Sequence, residues 1–167
     1  MKRILISAIL LIVAALTLSA QKYGHLNSSQ LILSMPEVKT ADAQLESYQK
    51  QLFAKGEEMV STFETEYNAY LQQANSGELS QIQMQTKEGA LAEKQNEIRT
   101  YELQVQELLA TKKQELYQPI LDKVQTVVDQ IGKEMNYTMI FDTSMGGLLF
   151  VEGSEDLMPT MKAKLGI

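Results

Sequence analysis

The chain has 167 residues, no cysteine, and 21 acidic against 15 basic side chains, for a net charge of −6. That length suits one modest domain, and the missing cysteines exclude disulfides and thiolate metal sites. The acidic balance disfavours nucleic acid and anionic lipid as partners, since both need a basic surface.

Residues 1–20, MKRILISAILLIVAALTLSA, carry the parts of a secretory signal. Lys2 and Arg3 form the charged start, Ile4 to Leu16 the apolar run, and Ser19-Ala20 the small residues for cleavage, with Leu18 departing from the A-x-A ideal. The alternative is an uncleaved anchor, for which the run is short, since a full span takes about 20 residues. No cysteine is present to make a lipoprotein. Cleavage leaves residues 21–167 with 13 basic and 21 acidic side chains, a charge near −8, and no membrane anchor.

Lys22 to Asn27 reads as a short strand, with Tyr23, His25 and Asn27 on one face and Leu26 on the other. Ser28 or Ser29 is placed to cap a short helix reaching Leu33, and Pro36 suits the first turn of the next helix. Between Pro36 and Pro119 there is no proline, and the only glycines are Gly56, Gly77 and Gly89. Apolar residues recur at Leu45, Tyr48, Leu52, Met59, Phe63, Tyr67, Tyr70 and Leu71, which fits one stripe on a helix. The pattern returns at Leu79, Ile82, Ala90, Ile98, Tyr101, Val105, Leu108, Leu109, Leu116 and Ile120, interrupted by Lys112. Both stripes resemble irregular coiled-coil seams. The break between them is "QQANSGELS", residues 72–80, where Asn75, Ser76 and Gly77 favour a helix end and a turn. The spacing predicts a helix from about 38 to 74, a tight turn, and a returning helix from about 78 to 132 with a kink at Pro119. Apolar groups thin out near the tip, so the distal arm is expected to be open and flexible.

"NYTMIFDTSMGGLLFVEG", residues 136–153, reads as a β-hairpin. Tyr137 to Asp142 alternates, with Met139 and Phe141 on one side and Ile140 on the other; Thr143 to Gly147 supplies the turn and Leu148 to Val151 the second strand. Pro159 starts a final helix through Leu165. The expected fold class is α+β, mostly α: a long antiparallel helical hairpin on a small three-stranded body. Such a sheet has exposed edges and a thin core, and self-association would relieve both. Leu26, Met139, Ile140, Phe141, Leu148, Leu149, Phe150 and Val151 are the body residues expected to hold copies together. The expected organisation is a signal peptide over 1–20, a β-rich assembly body over 21–37 and 119–167, and the helical hairpin over 38–118 with its turn near 75–78.

Nothing in the chain points to catalysis. His25 is the one histidine and has no cysteine or second histidine to work with. Asp142 and Glu152 flank the expected β-hairpin, and turn acids of this kind usually stay solvated or cap a backbone amide. Gly146-Gly147 lacks the spacing of a phosphate loop, and metal-ligand spacing is absent. No catalytic, cofactor-binding or metal-binding residue is expected, and no cofactor.

The signal segment, "HLNSSQLILSMPEV", the long helical hairpin, "YQPILDKVQTVVDQIGKEMNYTMIFD", "GGLLFVEGSEDL" and the closing "KLGI" together resemble the Skp/OmpH family of periplasmic chaperones across the mature chain. The resemblance implies a homotrimer with a β-barrel body and three helical tentacles around a cavity. It also implies a periplasmic, ATP-independent holdase for unfolded outer-membrane proteins. This chain departs from the basic tentacles of the best-studied members. A basic lipopolysaccharide-binding patch has no clear counterpart here, since Lys87, Lys94 and Arg99 are the only basic residues in the nearby returning helix. Capture by apolar contact remains. Met59, Phe63, Tyr67, Tyr70, Leu71, Ile82 and Met84 are candidates for the client-facing side, because Met and aromatic groups suit irregular partners. The alternative is that they pack the two arm helices together. The rival function is a structural or adaptor coiled coil of the cell envelope.

Overall fold

Two segments more than a hundred residues away meet on one short strand. In the computed structural model, which describes residues 21–148 and 150–167, β1 (Tyr23–Leu26) lies between β2 (Met139–Asp142) and β3 (Ser154–Asp156). Both pairings are parallel, and the register sets Gly24 beside Ile140 and Glu155, and His25 beside Phe141 and Asp156. The helices are α1 (Ser28–Ser34), α2 (Pro36–Asn75), α3 (Gln81–Glu134) and α4 (Met158–Leu165). The chain is therefore mostly helical with a small sheet, the class its sequence predicts.

The expected β-hairpin is not formed. Leu148, Phe150 and Val151 lie in the connection between β2 and β3, and the third strand is the polar segment Ser154–Asp156. The reason is strand direction. β2 and β3 both run parallel to β1, so the chain must travel back along the sheet before β3 begins, which a tight hairpin turn cannot do. Leu149 and the expected signal segment 1–20 lie outside the described residues. A second correction concerns the start of α1. Asn27, not Ser28 or Ser29, is the cap: its backbone is extended and its side chain accepts from Gln30 N at 2.9 Å.

The described chain divides into two compact units, residues up to Met35 with Leu121–Ile167, and Pro36–Ile120. In the first, the buried side chains are Leu26, then Leu31 and Met35 around α1, Val124, Val127 and Ile131 of α3, and Leu157, Met161 and Leu165 of α4. Gly24 sits where no side chain fits, since a Cβ there would lie 2.7 Å from Leu157 Cδ1 and 3.2 Å from the Tyr137 ring. Alternation puts Tyr23, His25, Met139 and Phe141 on the other face of the sheet, where Met139 and Phe141 are exposed and Tyr23 meets Phe141 with ring centres 6.2 Å apart.

The joints of this unit are hydrogen-bonded. α3 ends on Asn136 in the left-handed region (φ +55), with Tyr137 N donating to Gly132 O at 2.9 Å and Asn136 N to Lys133 O at 3.4 Å. This paired bonding terminates a helix and satisfies its last carbonyls. Thr138 N then donates to Lys22 O at 2.7 Å and opens the sheet. Ser154 Oγ gives its proton to Val151 O at 2.9 Å, so it accepts from His25 Nδ1 at 2.8 Å, and the lone histidine ties β1 to β3. Asp142 accepts from Ser28 N (3.1 Å), Ser28 Oγ (2.5 Å), Ser144 N (2.9 Å) and Ser144 Oγ (2.9 Å). Desolvation pushes this carboxyl up, but the bonds from Ser28 and Ser144 together outweigh it and hold it at about 2. Of the two expected turn acids, Asp142 fastens the end of β2 to the start of α1.

Two outcomes are expected. Gly24→Ala should destabilise the mature chain by about 1–3 kcal/mol in urea unfolding, because Leu157 is fully buried and has little room to retreat. Because the folded carboxyl of Asp142 lies below its ordinary 3.8, its contribution is present above about pH 4 and lost as pH falls toward 2. Urea midpoints of Asp142→Asn should therefore fall less across that window than those of the unsubstituted chain.

Candidate functional site

The second unit is the helical hairpin, and its sequence explains both how it turns and how loosely it closes. At the tip, Gly77 takes φ +74, Glu78 N donates to Gln73 O (3.2 Å), and Gly77 N donates to Ala74 O (3.3 Å), the same terminating pair seen after α3. Ser80 and Gln83 then form a reciprocal capping box: Gln83 N donates to Ser80 Oγ at 3.3 Å and Ser80 N to Gln83 Oε1 at 2.9 Å. α2 and α3 run antiparallel and are bridged along their length. Tyr117 donates to Asp42, Tyr101 Oη donates to Leu52 O at 3.0 Å, Lys94 pairs with Glu66, and Tyr70 donates to Glu88. These bonds to carboxylates push the phenols of Tyr70 and Tyr117 up, which keeps both as donors at neutral pH.

Few side chains are buried between the helices. The central cluster is Leu52, Tyr101 and Val105, joined by half-buried Tyr48, Met59 and Leu109. Lys112, which interrupts the apolar stripe, keeps its stem half-buried there and sends its ammonium to Glu115 at 3.2 Å, 5.9 Å from the centre of the Tyr48 ring. Lys55 stands 5.1 Å over the Tyr101 ring.

Beside this cluster the helices leave a groove of about 550 Å³. Leu52, Phe53, Gly56 and Val60 line it from α2, and Ile98, Tyr101 and Val105 from α3. Phe53 is 49% exposed and Val60 39% exposed. The lining also includes the carboxylates of Glu57, Glu64 and Glu102. A surface of this kind can bind apolar side chains and has no group placed for bond making or breaking. Among the described residues there is no group of three or more His, Asp or Glu side chains that could hold a metal, and no helix is long and apolar enough to cross a membrane.

The residues expected to face a client are distributed unevenly. Met59 packs against the central cluster. Phe63 and Tyr67 stack on one another along α2, with ring centres 5.9 Å apart and planes 13° apart. Tyr70 is half-buried on its bond to Glu88, and Met84 is half-buried. Tyr67, Leu71 and Ile82 are open to solvent, Ile82 at 77%. Periodicity alone does not single out Phe53, Gly56 and Val60. Their signal is the doubled pairs Leu52-Phe53 and Met59-Val60, seven residues apart, which widen the stripe beyond the seam that one partner helix covers.

Tyr101 is buried in the central cluster and bridges the two helices through its bond to Leu52 O. Tyr101→Phe should lower the stability of the mature chain by about 0.5–1.5 kcal/mol through the lost bond to Leu52 O. Tyr101→Ala should cost about 3–5 kcal/mol, both read from urea unfolding followed by circular dichroism.

The model of the OmpH-like outer membrane protein family matches residues 22–165. No curated protein matches the sequence. Among solved structures, a chain from Caulobacter crescentus CB15, assigned to the OmpH-like outer membrane chaperones, is similar with a TM-score of 0.74 and 15% identity, over 88% of this chain and 85% of that one. At that identity the likeness speaks for the fold, and the family match covers nearly all of the described residues. The chain belongs to the OmpH-like outer membrane protein family.

Proposed function

We propose that this protein is an ATP-independent holdase chaperone that keeps unfolded outer-membrane β-barrel proteins soluble in the periplasm. The observation that carries this is the excess of adaptable apolar surface on the helical hairpin. Phe53, Val60, Tyr67, Leu71 and Ile82 are exposed, and the groove between the helices is open. A rod or spacer would bury such groups in a continuous seam. A holdase needs many weak apolar contacts that no single client geometry dictates. Membership of the OmpH-like family supports a chaperone role, and the expected export signal fits a periplasmic one.

The proposal includes assembly into a homotrimer through the small body. Met139, Phe141, Met145, Phe150 and Val151 expose apolar surface there, Met145 at 88% and Phe150 at 76%. In a lone chain this patch would be an aggregation liability, and covering it with further copies removes that liability. Leu26 and Ile140 face the helices of their own chain, so their part in assembly is to hold β1 and β2 in place. The arms of three copies would then enclose the client.

Light scattering coupled to size exclusion tests both parts. The mature chain should run near three chain masses and gain one barrel mass when a urea-unfolded barrel protein is diluted into it. Replacing Phe63, Tyr67 and Tyr70 together by Ser should reduce the retained barrel several-fold and leave the self-assembled mass unchanged. A stable oligomer that leaves the barrel to aggregate would favour a structural or adaptor coiled coil instead.

A further inference from the structure

The groove carries more information than its apolar floor. Glu57 and Glu64, seven residues apart on α2, and Glu102 on α3 line it, and no lysine or arginine does. Some carboxylates on these helices have lysine partners: Glu46 with Lys50 at 2.6 Å, Glu66 with Lys94, and Glu115 with Lys112 at 3.2 Å. Among the described residues, Glu57, Glu64 and Glu102 have no such partner. The nearest basic side chains are Lys55, whose ammonium lies over the Tyr101 ring, and Arg99, one helical turn from Glu102, and neither is part of the lining. The result is an apolar trough edged by three carboxylates with no cation in its lining.

We propose that this groove binds apolar segments of an unfolded chain that are flanked by lysine or arginine. The choice rests on the chaperone function proposed above and specifies which stretches of a client the arm takes first. Burial of the segment's apolar side chains against Leu52, Phe53, Val60, Ile98 and Val105 supplies attraction that is indifferent to charge. The carboxylates then discriminate. A flanking cation gains by approaching them, and a flanking carboxylate is repelled. Surface pairs are individually weak, so three acting together give a preference of about tenfold.

Two fluorescent peptides with the same apolar centre, one flanked by lysines and one by glutamates, test this by anisotropy with the full mature chain. The lysine peptide should bind about tenfold more tightly at low salt, with the ratio shrinking as salt rises. The combined variant Glu57→Gln, Glu64→Gln, Glu102→Gln should bring the ratio close to one. Equal affinity for the two peptides, or a preference that survives in the triple variant, overturns the proposal. Placement is tested through Ser61→Cys, which puts a single thiol in the lining of a chain without cysteine. The lysine peptide should slow labelling of that thiol; protection in the absence of peptide would mean that another copy fills the groove and would also overturn the proposal. Barrel retention is measured alongside: a barrel kept soluble without charge preference leaves the holdase function standing and removes only this selectivity. A preference without barrel retention removes the holdase function, and with it the client role assigned to the groove.

Discussion

The parallel pairing of β1 with strands more than a hundred residues away is the constraint on which the first unit depends. β1 is four residues long, yet the backbone groups around it bind β2, β3, Thr138 just before β2, and Leu157 at the start of α4. Closing so long a loop costs chain entropy before any contact offsets it. The helical hairpin makes this feasible, because a helix with its own turn can form locally and carry distant segments back toward each other. The tip signals at Gly77 and at Ser80 with Gln83 are therefore part of the folding logic of the sheet, although they belong to another unit. Gly24 and Asp142 are where this closure is least tolerant, one for want of space and the other for want of a substitute acceptor.

The hairpin obeys a different constraint. It has about 60 Å of helix in α2 and only a short buried cluster, built on Leu52, Tyr101 and Val105. Its remaining cross-links are tyrosine and lysine bonds to carboxylates on the surface, which contribute little each. A hairpin held this way keeps its helices paired in register without sealing the space between them. The groove beside Tyr101 follows from that sparse closure, and so does the exposure of apolar groups on either side of it.

The helices and the turn were legible because their signals are local and repeated: a long proline-free run, apolar steps of three and four, and Asn-Ser-Gly at the break. The body was legible in part. Tyr23 to Leu26 and Met139 to Asp142 alternate visibly, and they form strands. β3 was not legible, because Ser-Glu-Asp carries no apolar signal and owes its extended form to the ladder with β1. Leu148, Phe150 and Val151 carry the stronger strand pattern and lose to the direction that the sheet imposes. The cap of α1 falls one or two residues before the expected Ser28 or Ser29, because Asn27 directly follows β1 and its side chain reaches Gln30 N. At the candidate site, periodicity identified the packing seam and one exposed aromatic, Tyr67. It did not show how much of the stripe the partner helix would leave open, since that depends on a tertiary distance.

Charge connects these features. Exposed apolar side chains on the hairpin invite association between chains, and a surplus of carboxylates opposes it over the range of the Debye length. On such a surface attraction must be short in range and must come from apolar contact, while repulsion acts earlier and rejects other acidic chains. Glu57, Glu64 and Glu102 line the groove, where both effects coincide. Pairing them with lysines would stabilise the helices slightly, and it would blunt the distinction between a cationic and an anionic neighbour. Under the proposed selectivity, leaving them without lysine partners gives up a little helix stability to keep that distinction.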